Sequence, residues 1–124
     1  MTGDELTIIS WGETVHRCLA ASRHYLGRVT VLDLRTLIPW DKDTVLESVQ
    51  NTGRVLIVHE DSQTAGFGAE ISAMIKAEAF TELDAPVQRL ATPDIPIPYN
   101  VGMMESILPN VEKIKEKIDQ LLAF

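Results

Sequence analysis
The sequence predicts an α/β domain: a parallel sheet of four or five strands with helices on both faces. Three observations lead there. Short apolar runs alternate with stretches of helical period along nearly the whole chain. The runs are apolar through their middles, as strands covered on both faces are. Gly, Pro or an Asx residue marks most changes of period. At 124 residues the chain has length for one core, and residues 1–124 are read as one domain.

Leu6–Ser10 (LTIIS) is the first strand, ending at Trp11-Gly12. Val15, Cys18, Leu19, Ser22 and Leu26 then recur at helical spacing, predicting an amphipathic helix closed near Gly27. Val29–Leu34 is the second strand. Asp41 is suited to cap the next helix, with Trp40 as a staple on Val45 and Gly53 as its terminator. Arg54–His59 is the third strand, and a third helix follows Gly66-Phe67-Gly68 with Ile71, Met74 and Ile75 inward. Val87–Leu90 is a shorter fourth strand. Thr92–Tyr99 carries three prolines and is expected to be extended and irregular. Asn110 caps a last helix whose stripe is Val111, Ile114, Ile118, Leu121 and Leu122.

The charge excludes some functions. Eleven basic residues against eighteen acidic ones give −7, which argues against nucleic acid and against an anionic membrane surface. Cys18 is the single cysteine, so neither an intrachain disulfide nor a cysteine metal cluster can form. No apolar run reaches the roughly 20 residues of a membrane span, and no signal peptide is seen; the expected setting is cytoplasmic, or the mitochondrial matrix in a eukaryote. The polar Met1–Asp4 opening, running straight into a strand, is the start expected of a domain taken from a longer polypeptide.

Ligands of open α/β sheets gather at the carboxyl ends of the strands, which here are Ser10–Glu13, Asp33–Thr36 and His59–Ser62. His59-Glu60-Asp61 offers acid–base or metal chemistry, but neighbours on a strand point to opposite faces. A structural hydrogen bond or a subunit contact suits His59 better. Gly66-Phe67-Gly68 either cradles an anion or lets a helix pack closely on the sheet; it lacks the further residues of a dinucleotide or P-loop motif. Arg35 either anchors a carboxylate from another chain or pairs locally. The proline-rich stretch and Met103-Met104 lie against their own domain or a partner. No catalytic, cofactor-binding or metal-binding set of residues is complete.

Taken in order, several blocks resemble the C-terminal domain of transketolase-like enzymes, and most of all that of the β subunit of 2-oxoacid dehydrogenase E1 components. They are Ile9-Ser10-Trp11-Gly12, Val31–Asp41 (VLDLRTLIPWD), Thr52-Gly53-Arg54, Val58-His59-Glu60, Thr64–Ile71 (TAGFGAEI), Leu83-Asp84-Ala85-Pro86 and Pro93–Tyr99 (PDIPIPY). His59-Glu60 and Pro39-Trp40-Asp41 resemble the branched-chain (2-oxoisovalerate) type. The resemblance implies a three-layer α/β/α sandwich with a mostly parallel five-stranded sheet, the last short strand following the proline-rich segment. It implies a parent enzyme that decarboxylates a 2-oxoacid with thiamine diphosphate and Mg and acylates a lipoyl group. The cofactor lies between other domains, and its residues have no counterpart here, so the isolated chain is expected to be inactive. Such a domain supplies contacts to other E1 domains or subunits; separately, apolar Met, Phe or Pro surface left exposed without those neighbours would favour a homodimer of the isolated chain. Such a domain also docks the subunit-binding domain of the E2 acyltransferase, for which Glu82, Asp84 and Phe124 are candidates. Arg35, His59 and Glu60 are candidate strand-end or interface residues.

Overall fold
Four strands run parallel in the order β2-β1-β3-β4: β1 Gly3–Ser10, β2 Gly27–Asp33, β3 Val55–Ser62 and β4 Gln88–Thr92. The helices are α1 Thr14–Ser22, α2 Lys42–Thr52, α3 Phe67–Glu78 and α4 Val111–Leu122. The computed structural model describes residues 2–35, 40–93 and 108–124. The proline-rich segment beyond Pro93, Met103-Met104 and the expected fifth strand lie outside the described residues.

Alternation along the strands sorts the core into two clusters. Leu6, Ile8, Leu56 and Val58 pack with Cys18 and Ala21 of α1 and Ile114, Ile118 and Leu121 of α4. Ile9, Val55 and Ile57 pack with Val45 and Val49 of α2 and Ile71 and Ile75 of α3. Helices therefore cover both faces of the sheet, which is why β1 and β3 carry apolar residues at consecutive positions. A hydroxyl cluster adds register: Thr7 Oγ1 lies 2.7 Å from Ser48 Oγ and 2.8 Å from Thr52 Oγ1, tying α2 to β1.

The caps follow the sequence. Asp41 accepts from the Thr44 N–H at 3.2 Å, and Asn110 from the Lys113 N–H at 2.9 Å. Trp40 joins the cluster that contains Val45, as a staple requires. Gly53 ends α2 at φ +71°, its N–H on the Val49 carbonyl. The first helix departs from expectation. Its last turn tightens into a 3₁₀ turn at Arg23–Tyr25, which swings Leu26 off the apolar stripe and leaves it 73% exposed.

Candidate functional site
The sheet has two ends of opposite character. At the carboxyl end, β1 and β3 are neighbours whose chains depart in opposite directions across the sheet, the usual place for a ligand crevice. Here aromatic side chains meet. Trp11, just past β1, stacks on His59 with ring centroids 5.1 Å apart and planes 11° from parallel. Phe67 meets the edge of Trp11, and Trp40 meets Phe67 in the same manner.

His59 is fully buried, and among the described residues neither ring nitrogen makes a well-formed hydrogen bond, although the Asp61 backbone acts on the ring. Aromatic stacking on Trp11 and close packing by Gly66 and Gly68 hold the ring. A side-chain carbon on Gly68 would run into His59 Nε2, and one on Gly66 into the Ser62 carbonyl. The glycines thus serve close packing, and the imidazole takes the space that an anion at the start of α3 would need. Burial lowers the His59 pKa below its ordinary value; the Asp61 carboxylate opposes this and the Arg89 guanidinium adds to it.

Glu60 diverges from His59, as strand geometry requires. It is exposed and lies 3.8 Å from Arg17 of α1, whose guanidinium also donates to the Pro109 carbonyl at 2.8 Å. Arg35 pairs locally, 3.7 Å from Asp33, with its side chain 89% exposed. It borders an open cavity of about 520 Å³ lined by Leu32, Leu34, Trp40, Asp41 and Thr44. Among the described residues no cluster of His, Cys, Asp and Glu could hold a metal ion, and no helix is long and apolar enough to cross a membrane.

The amino-terminal end of the sheet presents the opposite surface. Leu26, Phe80 and Phe124 are the large hydrophobic side chains exposed among the described residues. Each follows a helix that has returned the chain to this end: Leu26 just before β2, Phe80 between α3 and β4, Phe124 after α4. Glu82 and Asp84 lie there too. The Asp84 N–H donates to the Gly53 carbonyl at 2.7 Å, and Arg54 Nη2 donates to the Phe124 carbonyl at 3.1 Å. The candidate docking residues, Glu82 and Asp84 on one turn and Phe124 forty positions later, are thereby gathered around Gly53-Arg54. Beside them is an open groove of about 740 Å³ lined by Phe80, Leu83, Asp84, Pro86, Val87 and Lys76. Sequence reasoning did not single out Trp11 or Arg54 as organising residues. The signal available for Trp11 was an aromatic residue directly before a turn glycine, Gly12, which has φ +66°.

The fold is that of a transketolase C-terminal domain. The model of that family, "Transketolase, C-terminal domain", matches residues 1–114, and the chain belongs to it. Its relatives are β subunits of 2-oxoacid dehydrogenases. The 2-oxoisovalerate dehydrogenase subunit beta of Bacillus subtilis is 38% identical over 98% of this chain and 38% of that protein. The mitochondrial 2-oxoisovalerate dehydrogenase subunit beta of Dictyostelium discoideum is 42% identical over 92% of this chain and 32% of its own length. The pyruvate dehydrogenase E1 component subunit beta of Rickettsia bellii is 40% identical, covering 87% of this chain and 34% of that one. The chain thus spans little more than a third of these relatives. Among solved structures, a split gene transketolase, an inactive beta4 tetramer, superposes with a TM-score of 0.84 at 20% identity, over 98% of this chain and 40% of the other.

Proposed function
We propose that this domain serves assembly and partner docking in a thiamine-diphosphate-dependent 2-oxoacid dehydrogenase E1 component of branched-chain type. One observation carries the reading: exposed apolar side chains and acidic groups share the amino-terminal end of the sheet. In this reading the decarboxylation, thiamine diphosphate and Mg belong to the rest of the parent enzyme. Other E1 domains or subunits, and a second copy of this chain, are the partners for the apolar surface. The acidic Glu82–Asp84 side suits a basic partner, the subunit-binding domain of the acyltransferase, and the net charge of −7 would speed that encounter. The five-stranded three-layer arrangement belongs to the same reading, supported by four parallel strands and a core on both faces.

Two measurements test it. The chain alone is expected to bind no thiamine diphosphate and turn over no 2-oxoacid; cofactor binding or turnover by the chain alone would sink the proposal. Charge reversal at Glu82 and Asp84 is expected to weaken binding to the subunit-binding domain, and unchanged affinity would remove that surface from it.

A second reading, a small-molecule module at the strand ends, draws on the cavity beside Arg35. It requires a compound that raises the melting temperature of the chain and loses that effect in Arg35→Ala.

A further inference from the structure
The corner that joins α2 to β3 is fixed more firmly than a helix-to-strand turn requires. The Thr52 hydroxyl lies within the Thr7–Ser48 cluster, and the Arg54 carbonyl accepts from the Thr7 N–H at 2.9 Å. From this fixed corner two otherwise separate segments are held. Gly53 receives the Asp84 N–H at 2.7 Å, and its bare α-carbon lies against the Asp84 carboxylate, where any side chain would collide. Arg54 reaches the Phe124 carbonyl with Nη2 at 3.1 Å and the Glu5 carbonyl with Nη1 at 3.4 Å. Only the main chain of Phe124 is gripped; its ring stays 65% exposed. The guanidinium makes these contacts while its Nε is buried without a partner.

We propose that Arg54 is a positioning residue for the docking end, holding Phe124 at a set distance from Asp84 so that one partner meets both an aromatic anchor and a carboxylate. The inference rests on the docking reading above. It has a kinetic signature that a purely structural role lacks. Arg54 is itself a cation beside the acidic surface, so removing it strengthens long-range attraction of a basic partner. It also frees Phe124, so the complex, once formed, comes apart sooner.

The test is association and dissociation of the chain with the acyltransferase's subunit-binding domain, with thermal melts of each variant alongside. Arg54→Ala is expected to dissociate about tenfold faster, the scale of losing one well-placed interface residue, with association unchanged or faster. Arg54→Lys keeps the charge but lacks the two-pronged fork, and is expected to dissociate faster with unchanged association. It also serves if the alanine variant does not fold. Phe124→Ala in the Arg54→Lys background should add little further loss, because both changes act on one contact. If folded Arg54 variants dissociate at the wild-type rate while Glu82→Lys and Asp84→Lys abolish binding, the Arg54 assignment is wrong and the docking surface stands. If the two charge reversals leave binding intact, the surface itself is wrong and Arg54's role falls with it.

Discussion

Trp11 lies flat on His59, an indole covering a fully buried imidazole. The pair bridges the ends of the two central strands. Burial disfavours the protonated imidazole, which ties stability to pH.

Folded His59 has a lowered pKa, so the native state binds this proton less readily than the unfolded chain does. The domain should keep its full stability above the unfolded pKa of about 6.5 and lose it as pH falls from there toward the folded value. In that window one proton contributes a slope of at most about 1.4 kcal/mol per pH unit. His59→Phe keeps a ring under Trp11 and removes the titration. The larger ring, close against Gly66 and Gly68, should cost about 1–3 kcal/mol at every pH, so the slope and not the absolute stability is the readout. Urea melts from pH 7.5 to 5 check this: an equal acid slope in both proteins would exclude His59 as its origin.

Gly68→Ala should destabilise by about 1–3 kcal/mol, since the new methyl group meets His59 and, at 3.2 Å, Ile57 Cγ2. In a His59→Ala background the same change should cost much less. A double-mutant cycle by chemical denaturation measures the coupling; strictly additive losses would mean that the two residues do not share the space.

Asn110→Ala removes the cap of α4 and should cost about 1 kcal/mol. Asn110→Ser should recover most of it. Helix α4 supplies Ile114, Ile118 and Leu121 to one face of the sheet, so the loss should appear as a lower melting temperature of the whole domain.

Cys18 is fully buried, and burial pushes its thiol pKa up to about 12. A thiol reagent should leave it untouched in the native protein at pH 8 and modify it once the chain opens. Native labelling as fast as that of the denatured chain would contradict the packing of α1.

Much of this arrangement was legible in the sequence because local rules carried it. Asp41 and Asn110 cap as their side-chain chemistry dictates, Gly53 takes the left-handed turn, and the uniform apolarity of Val55–Val58 followed from coverage on two faces. The site was less legible because it depends on contacts across the chain. His59 suggested chemistry by residue type, yet its burial depends on Trp11, Gly66 and Gly68, which no spacing rule links to it. Arg54 looked like the first residue of a strand. Its reach to Phe124 spans 70 positions and is visible only once the helices have returned the chain to one end. Leu26 was misplaced for a related reason: periodicity extends a helix smoothly, whereas the 3₁₀ turn at Arg23–Tyr25 changes the angle per residue.

The strand order leaves β2 at the rim of the described sheet, with main-chain groups on its outer side facing away from β1. Such a rim is a template: an extended peptide laid along it gains a ladder of bonds without any rearrangement of the domain. Ion pairs stand at both ends of this strand, Arg28 with Glu5 at its start and Arg35 with Asp33 at its close, while Val29 to Leu32 between them carry no charge. The charged ends discourage indiscriminate zipping of one molecule onto the next.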